Sequence, residues 1–237
     1  MKRIDYRMDD GVAVITLQDG ENRFNPDFIN AYLDVLDAVE ADADAAALVA
    51  TSAHEKIFSN GIDLEWLVPV IQRGDGAAKD FFYRLNTLLR RTLMTPLLTV
   101  AAISGHAFAG GAIWSCAFDF RFMRSDRGFF CFPEVDLGIP FLPGMQALLN
   151  RAIPRYKMEE MMLTGVRLTA EECKAHHIVS DACGRDELLD RAVAYAKTLT
   201  KKRAIVKEFK NRLHKEILHA IDVEDVPYIE SENFNIG

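Results

Sequence analysis

The 237-residue chain lacks the features of nucleic-acid-binding, membrane-spanning and disulfide-bonded proteins. Its formal net charge is −7, which leaves no excess of basic residues for a broad nucleic-acid surface. Its apolar runs stay shorter than the roughly 18 residues of a membrane span. Its four cysteines include no C-x-x-C pair of the kind that binds a metal. We therefore expect a globular protein of a reducing compartment, the cytoplasm, with no nucleic-acid partner, no membrane partner and no metal.

The central glycine-containing stretch lacks the signatures of the two common nucleotide-binding loops. Residues 104–119 read S-G-H-A-F-A-G-G-A-I-W-S-C-A-F-D, without the Lys-Ser/Thr pair of a P-loop and without G-x-G-x-x-G. Gly110 and Gly111 instead separate an apolar strand, Leu97–Ile103, from an apolar helix, Ala112–Phe118. The free N–H groups at the start of such a helix favour an anion or an oxyanion. A plain turn is the alternative.

Strands and helices alternate through the first part of the chain. Asp9-Asp10-Gly11 joins two apolar segments, which predicts a hairpin. Asn25-Pro26 begins a helix, with the asparagine as its cap. The elements predicted next are a strand over Ala46–Thr51, a loop over Ser52–Asn60, a helix over Ala77–Met94 and the strand–glycine–helix unit described above. This order predicts an α/β fold with parallel strands.

The chain becomes mostly helical after Gly144. Thr169 and Glu172 have the spacing of a capping box, and long helices are predicted over Asp186–Leu199 and Ala204–Ile221. We predict one domain over residues 1–195 and a C-terminal helical extension over residues 196–237. The apolar faces of the extension must pack either on the core of the same chain or on a neighbouring subunit.

Two backbone N–H groups are candidates for binding a negative oxygen. One belongs to Gly110, and the other belongs to Ile62, in the loop that leaves the second parallel strand. Ligands of open α/β sheets bind at the carboxyl ends of strands, where both loops are expected. Loss of one such donor typically costs roughly 3 kcal/mol of transition-state stabilisation.

Glu134 is the candidate general base. It lies in the segment F-P-E-V-D-L-G-I-P, and apolar neighbours raise the proton affinity of a carboxylate. A solvated loop residue is the alternative. Asp136 would share a face with Glu134 if the segment were extended, which makes it a candidate second carboxylate.

Four segments resemble one family. Residues 57–64, I-F-S-N-G-I-D-L, resemble the F-S/C-x-G-x-D-L/I motif of the crotonase (enoyl-CoA hydratase/isomerase) superfamily. Residues 103–119 resemble its G-x-A/C-x-G-G-G-x-x-L…D segment, and residues 132–140 resemble its P-E-x-x-L-G-I/L-x-P segment. Residues 163–172 resemble its L-T-G…A-x-E-A segment. The segments follow in the order of the superfamily, and the resemblance extends over about residues 1–215.

The resemblance implies a crotonase-like ββα spiral over residues 1–195, with the extension 196–237 serving in trimerisation. It implies homotrimers or dimers of trimers, an acyl-CoA thioester as the substrate, and no further cofactor. It places an oxyanion hole at the N–H groups of Ile62 and Gly110, and the CoA phosphates and adenine near Arg23 and Lys56. The other substrate contacts that it implies are Phe58, Asn60, Gly61, Gly111, Ile113 and Pro133.

One departure from the family pattern bears on the reaction. The hydratases of the family use two glutamates; the first falls on Ile113 of this chain and the second on Glu134. One carboxylate suffices to move a proton along an enolate, so the pattern resembles the monofunctional Δ3,Δ2-enoyl-CoA isomerases of the family. Two alternatives stay open: a hydratase or another thioester enolate chemistry, and a non-catalytic acyl-CoA-binding subunit.

Overall fold

The main sheet contains six strands in the order β1-β2-β4-β7-β9-β11. We describe it from a computed structural model that covers residues 3–232, so residues 1–2 of the predicted core and 233–237 of the predicted extension lie outside the described residues. Its strands are β1 (Ile4–Asp9), β2 (Val12–Leu17), β4 (Ala47–Ser52), β7 (Leu98–Ile103), β9 (Phe120–Arg124) and β11 (Asp181–Cys183). Only β1 pairs antiparallel; the other neighbours are parallel, which confirms the predicted α/β arrangement.

The hairpin at the start of the sheet follows from its turn residues. Asp10 and Gly11 both have positive φ, 48° and 82°, as a two-residue type I′ turn requires. The turn sets the register in which Ile4 pairs with Leu17. The predicted hairpin is therefore confirmed, with β1 extending to Asp9.

Helices cover the sheet and make up most of the second half. They are α1 (Pro26–Ala41), α2 (Leu64–Arg73), α3 (Ala77–Met94), α4 (Gly110–Ser115), α5 (Glu134–Leu137), α6 (Pro143–Ala152), α7 (Arg155–Thr164), α8 (Ala170–Ala175), α9 (Arg185–Lys197), α10 (Arg203–Leu213), α11 (Lys215–His219) and α12 (Val226–Glu230), with a π-helical turn over Ala220–Glu224. Asn25 caps α1 by accepting from the N–H of Phe28, and Thr169 and Glu172 form the predicted capping box at α8. None of the helices within residues 3–232 is long and apolar enough to cross a membrane.

The predicted loop over Ser52–Asn60 is wrong in part, because it contains a strand. Strands β5 (Ile57–Ser59), β8 (His106–Phe108) and β10 (Phe130–Cys131) form a second, parallel sheet in the order β10-β8-β5. A third pairing joins β3 (Arg23–Phe24) to β6 (Gly61–Ile62). These strands have two or three residues each, too few to show a period-2 pattern in the sequence. They hold the loops that form the site.

The predicted helix over Ala204–Ile221 is wrong in part, because the chain bends at His214 between two helical segments. The φ of His214 is −107°, outside the helical range, and it separates α10 from α11. The bend lets both segments follow the core: Val206 and Lys210 are buried before it, and Ile217 is buried after it.

The extension packs on the core of its own chain. Lys210 of α10 is almost fully buried, and its Nζ lies 2.8 Å from the carboxylate of Asp119 and donates to the carbonyl of Leu97 at 3.0 Å. Asp119 also accepts from the backbone N–H and the hydroxyl of Thr99 and from the guanidinium of Arg151. The sequence left open whether the extension packs on its own chain or on a neighbouring subunit. The structure shows that part of it packs on its own chain. Its role in trimerisation stays a prediction.

Trp114 of α4 is the centre of the aromatic core. Its ring stacks on Phe58 at 5.8 Å between centroids and meets Tyr32 edge-on at 4.9 Å. Its indole N–H donates to Thr92 at 3.0 Å, so the buried polar atom is paired. The anchored ring holds α4 in place, and the first residue of α4 is Gly110.

Candidate active site

A cavity of about 550 Å³ lies where the short strands, α4 and the helical half meet. One side is polar and includes Arg23, Asn60 and Glu65. Glu134 is the buried carboxylate of the cavity. The apolar remainder of the lining includes Leu64, Leu67, Phe82, Phe108, Ile113, Leu137, Ile139, Pro140, Phe141, Leu142, Met145 and Tyr228. An apolar cavity with a few polar groups fits a small ligand that has both an apolar and a polar part.

A buried polar network holds the loop that carries Ile62. The hydroxyl of Ser59 donates to the carbonyl of Asn22 at 2.7 Å and accepts from the N–H of Gly61 at 3.1 Å. The side-chain amide of Asn22 donates to Ser52 Oγ and to the carbonyl of Phe58. Asn22 and Ser59 are fully buried, so these bonds are shielded from water and fix the loop.

Close backbone contact explains the glycines at this loop. A Cβ on Gly61 would lie 2.5 Å from the nitrogen of Gly110, and a Cβ on Gly110 would lie 3.4 Å from the nitrogen of Ile62. A Cβ on Gly111 would overlap the carbonyl oxygen of Ser59. The two candidate donor nitrogens, of Ile62 and Gly110, are therefore neighbours on the wall of the cavity.

The start of α4 leaves its first N–H groups without intrahelical partners. The first intrahelical bond runs from the N–H of Ile113 to the carbonyl of Ala109. Ala109 has φ 50° and ψ −128°, a strained conformation that turns the chain from β8 into α4. The N–H of Gly110 thus precedes the hydrogen-bonded ladder, as the sequence led us to expect.

Glu134 is a buried carboxylate held by a single helical turn. Its side chain is 7% exposed, and its Oε2 has no hydrogen-bond partner among residues 3–232. Burial raises the pKa of Glu134 to about 7, because water no longer stabilises the charged form. Gly138, with φ 68°, ends the turn, and the N–H of Ile139 returns to the carbonyl of Glu134. A carboxyl group with this pKa is suited to accept and return a proton near neutral pH.

The prediction that Asp136 is a second carboxylate of the site is wrong. Residues 134–137 form a helical turn, not an extended segment, so residues two apart point in different directions. Asp136 is exposed, and its carboxylate lies beside Gly165, where a Cβ would come within 2.6 Å of Asp136 Oδ2. The carboxylates that line the cavity are Glu134 and Glu65, and the side chain of Glu65 is 84% exposed.

The sequence-predicted residues divide into four groups by position. Those that line the cavity are Arg23, Asn60, Ile62, Gly110, Ile113, Pro133 and Glu134. Gly61 and Gly111 lie behind the wall of the cavity, where they make the close backbone contacts described above. Phe58 packs in the core against Trp114. Lys56 is exposed on the loop before β5, where its carbonyl accepts from the N–H of His106.

Arg23 reaches the rim of the cavity with its charge already compensated. Its guanidinium donates to Glu21 at 2.8 Å and to Glu65 at 2.8 Å. Asn60 donates to the same Glu21 carboxylate at 3.0 Å, and these bonds lower the pKa of Glu21. An anion at this rim would therefore compete with two carboxylates for Arg23.

Sequence reasoning missed the far wall of the cavity. Tyr228 and Ser231 come from the end of the described chain, and Phe82 and Met145 come from α3 and α6. The sequence predicts the helix over Ala77–Met94 but gives no sign that Phe82 borders a cavity. No local motif connects residues so far apart in sequence.

The comparisons with known proteins agree with this fold. The sequence profile of the family described as Enoyl-CoA hydratase/isomerase matches residues 7–235. Enoyl-CoA delta isomerase 3 of Arabidopsis thaliana is 29% identical over 232 residues, 94% of this chain and 96% of that protein. A putative enoyl-CoA hydratase of Thermus thermophilus is 32% identical over 213 residues, 89% of this chain and 81% of that protein.

A solved structure agrees over nearly the whole chain. An enoyl-CoA hydratase/isomerase family protein from Pseudomonas syringae has a TM-score of 0.86 at 26% identity, covering 96% of this chain and 97% of that chain. The α/β fold with a crotonase-like ββα spiral and a C-terminal helical region is confirmed. The chain belongs to the enoyl-CoA hydratase/isomerase family, within the crotonase superfamily.

Proposed function

We propose that the chain is a Δ3,Δ2-enoyl-CoA isomerase in which Glu134 moves one proton. The observation that carries the proposal is a single buried carboxylate, without a hydrogen-bond partner among the described residues, in an apolar cavity beside the nitrogens of Ile62 and Gly110. Ile113, an apolar residue that also lines the cavity, falls where the family resemblance places the first glutamate of the hydratases. A curated relative that matches over most of the chain is named as a delta isomerase.

The reaction requires one base and one site for negative charge. Glu134 removes a proton from C2 of the 3-enoyl thioester, and the electrons of that bond delocalise through C2 to the thioester oxygen. The N–H groups of Ile62 and Gly110 stabilise the oxygen of this dienolate, where charge develops. Protonated Glu134 then returns the proton to C4, which leaves the double bond between C2 and C3 and restores the thioester carbonyl.

Hydration of a 2-enoyl thioester is the second candidate. Asn60 lines the cavity, and its Oδ1 has no hydrogen-bond partner among the described residues. A relative named as a putative hydratase supports this alternative. Glu134 would then be the base that activates the water.

A paired assay separates these functions. The purified protein receives 3-hexenoyl-CoA in one reaction and crotonyl-CoA in the other, and formation or loss of the conjugated enoyl thioester is followed by absorbance. We expect conversion of the first and no hydration of the second. Hydration at a comparable rate contradicts the one-carboxylate isomerase, and tight acyl-CoA binding with neither reaction indicates the non-catalytic binding subunit.

The pH dependence of isomerisation follows from Glu134. Only the carboxylate form accepts a proton, and burial raises the pKa of Glu134 to about 7. We expect kcat/KM to rise with pH through about 7 and to level above it, with about a tenfold loss per pH unit below. A profile that is flat from about pH 5 to pH 8 contradicts Glu134 as the base.

We also propose the assembly, the cofactor requirement and the compartment of the protein. Ile205, Phe209 and Leu213 lie four residues apart on α10 and are 51%, 58% and 74% exposed, a stripe that a homotrimer or a dimer of trimers would cover. Light scattering of the purified protein measures the mass. We propose the acyl-CoA thioester as the small-molecule partner, no further cofactor, and a cytoplasmic location.

A further inference from the structure

The last helix of the described chain contributes to the lining of the cavity. Residues 225–231, which we call the strap, contain α12 and follow directly after the π-helical turn. Tyr228 and Ser231 of the strap line the cavity. Ile229, which lies between them in the chain, is fully buried. A wall of the cavity is thus supplied by a segment far in sequence from Glu134.

The first end of the strap is fixed by a buried carboxylate. Asp225 is 0% exposed; it accepts from the N–H of Gly144 at 2.7 Å and from the side-chain amide of Asn86 at 2.9 Å. Gly144 has no space for a side chain, since a Cβ would lie 2.6 Å from Asp225 Oδ2 and 2.6 Å from Ile221 Cγ1. Asp225 therefore ties the strap to α3 through Asn86 and to α6 through Gly144.

The second end of the strap is held on the surface of α3. Glu230 accepts from the hydroxyl of Tyr83 at 2.7 Å and from the ammonium of Lys79 at 3.4 Å. Tyr228 lies between the two attachments, and its side chain is 60% exposed. Attachment on both sides keeps the Tyr228 ring at the rim of the cavity.

The polarity of the cavity indicates which part of a thioester meets the strap. Arg23, Asn60 and Glu65 lie on the polar side. Phe82 and Met145, which are nearly buried, lie on the elements that anchor the strap, α3 and α6. Burial of an aliphatic chain is favourable only against apolar surface, and Phe82, Met145 and Tyr228 supply such surface in the lining of the cavity.

We propose that the Tyr228 ring is the outer wall of the acyl subsite and sets the upper limit of acyl-chain length. The proposal rests on the proposed function for the identity of the ligand as an acyl thioester. A chain that fills the space between Phe82 and Met145 meets the ring, which the anchored strap holds in place. Longer chains bind only at the cost of displacing the ring or its attachments.

The test uses three variants of the full-length chain. Tyr228→Ala removes the ring, and Tyr228→Phe keeps the ring without its hydroxyl. Tyr156→Ala is the matched control, because Tyr156 on α7 is 61% exposed and lies outside the residues that line the cavity. For each protein, kcat/KM is measured with 3-hexenoyl-CoA and 3-dodecenoyl-CoA, and the Kd of hexanoyl-CoA and of dodecanoyl-CoA is measured by calorimetry.

We expect Tyr228→Ala to raise the preference for the long chain over the short chain by about tenfold or more, since each methylene admitted to an apolar pocket is worth about 10-fold or more. Tyr228→Phe and Tyr156→Ala are expected to keep the wild-type ratio. An unchanged ratio in Tyr228→Ala overturns the proposal, as does the same change in Tyr156→Ala.

The saturated thioesters separate this proposal from the proposed function, because they bind without reacting. If isomerisation is absent but Tyr228→Ala still improves dodecanoyl-CoA binding relative to hexanoyl-CoA, the strap limits chain length and the isomerase assignment fails. If isomerisation is present and neither ratio changes, the isomerase assignment stands and the role of the strap fails. Absence of binding by both saturated thioesters overturns the strap proposal directly.

Discussion

Replacing Glu134 with glutamine is expected to lower the turnover of 3-hexenoyl-CoA by about 10²- to 10⁴-fold, the usual contribution of a positioned general base. Glutamine keeps the size of the side chain but cannot accept the C2 proton. The nitrogens of Ile62 and Gly110 and the apolar wall are unchanged, so the Kd of hexanoyl-CoA is expected to stay within about threefold of wild type. Steady-state kinetics and calorimetry on the same preparation measure both quantities.

Glu65→Gln is the control for this result. Glu65 also lines the cavity, but its side chain is 84% exposed and pairs with Arg23. Its removal is expected to leave turnover within about tenfold, since screening by water makes exposed pairs weak. Retained turnover in Glu134→Gln, or an equal loss in Glu65→Gln, removes Glu134 from the mechanism.

The same variant tests how much the buried carboxyl group of Glu134 lowers the free energy of unfolding. Burial raises the pKa of Glu134 from 4.5 to about 7, so ionisation is less favourable in the folded than in the unfolded state. The free energy of unfolding of the wild type therefore falls as pH rises from 4.5 through about 7, by roughly 3 kcal/mol in total. Glu134→Gln avoids this loss, so we expect the variant to exceed the wild type in stability above pH 7, with a difference that shrinks on acidification. Urea unfolding at several pH values measures it.

Replacing Gly111 with alanine is expected to lower the free energy of unfolding by about 3 kcal/mol, at the upper end of the usual cost of overpacking. The new Cβ would overlap the carbonyl oxygen of Ser59 and lie 2.8 Å from its carbonyl carbon, so backbone must move. Because Ser59 hydrogen-bonds the N–H of Gly61, the movement also displaces the loop that carries Ile62. Turnover is expected to fall together with stability.

Gly184→Ala is the matched control, because a Cβ at Gly184 meets nothing within 4 Å and its φ of −62° suits any residue. Its stability is expected to stay within about 1 kcal/mol of wild type. Chemical denaturation of both variants and their kcat with 3-hexenoyl-CoA provide the comparison. A Gly111→Ala protein as stable as Gly184→Ala contradicts the close approach of α4 to β5.

The elements that were predictable from sequence carry their own local signal. Asp10 and Gly11 determine the hairpin turn, and the apolar spacing of Ala77–Met94 reproduces α3 with the same bounds. Glu134 was identified because its neighbours in sequence are apolar, and in the structure it is buried. In each case the residues that determine the feature are adjacent in the chain.

The features that were missed depend on contacts between distant segments. The strand β8 exists because β5 and β10 pair on its two sides, and its three residues show no periodicity of their own. The direction of Asp136 depends on whether residues 134–137 are extended or helical, which the sequence left open. Tyr228 borders the cavity because Asp225 binds Gly144 of α6 and Asn86 of α3, which are both far from Tyr228 in sequence.

The strap also determines when during synthesis the cavity can be completed. Tyr83 and Glu230, which hold its second end, are 147 positions apart in the chain. At typical elongation rates of about 5–20 residues per second, α3 is therefore made roughly 7 to 30 s before its partner. Until the strap follows, the cavity that Phe82 and Met145 line lacks the part of its wall that Tyr228 supplies. Nascent chains stalled before residue 225 should consequently bind a chaperone that recognises exposed apolar segments, and should lose that binding once the strap has emerged.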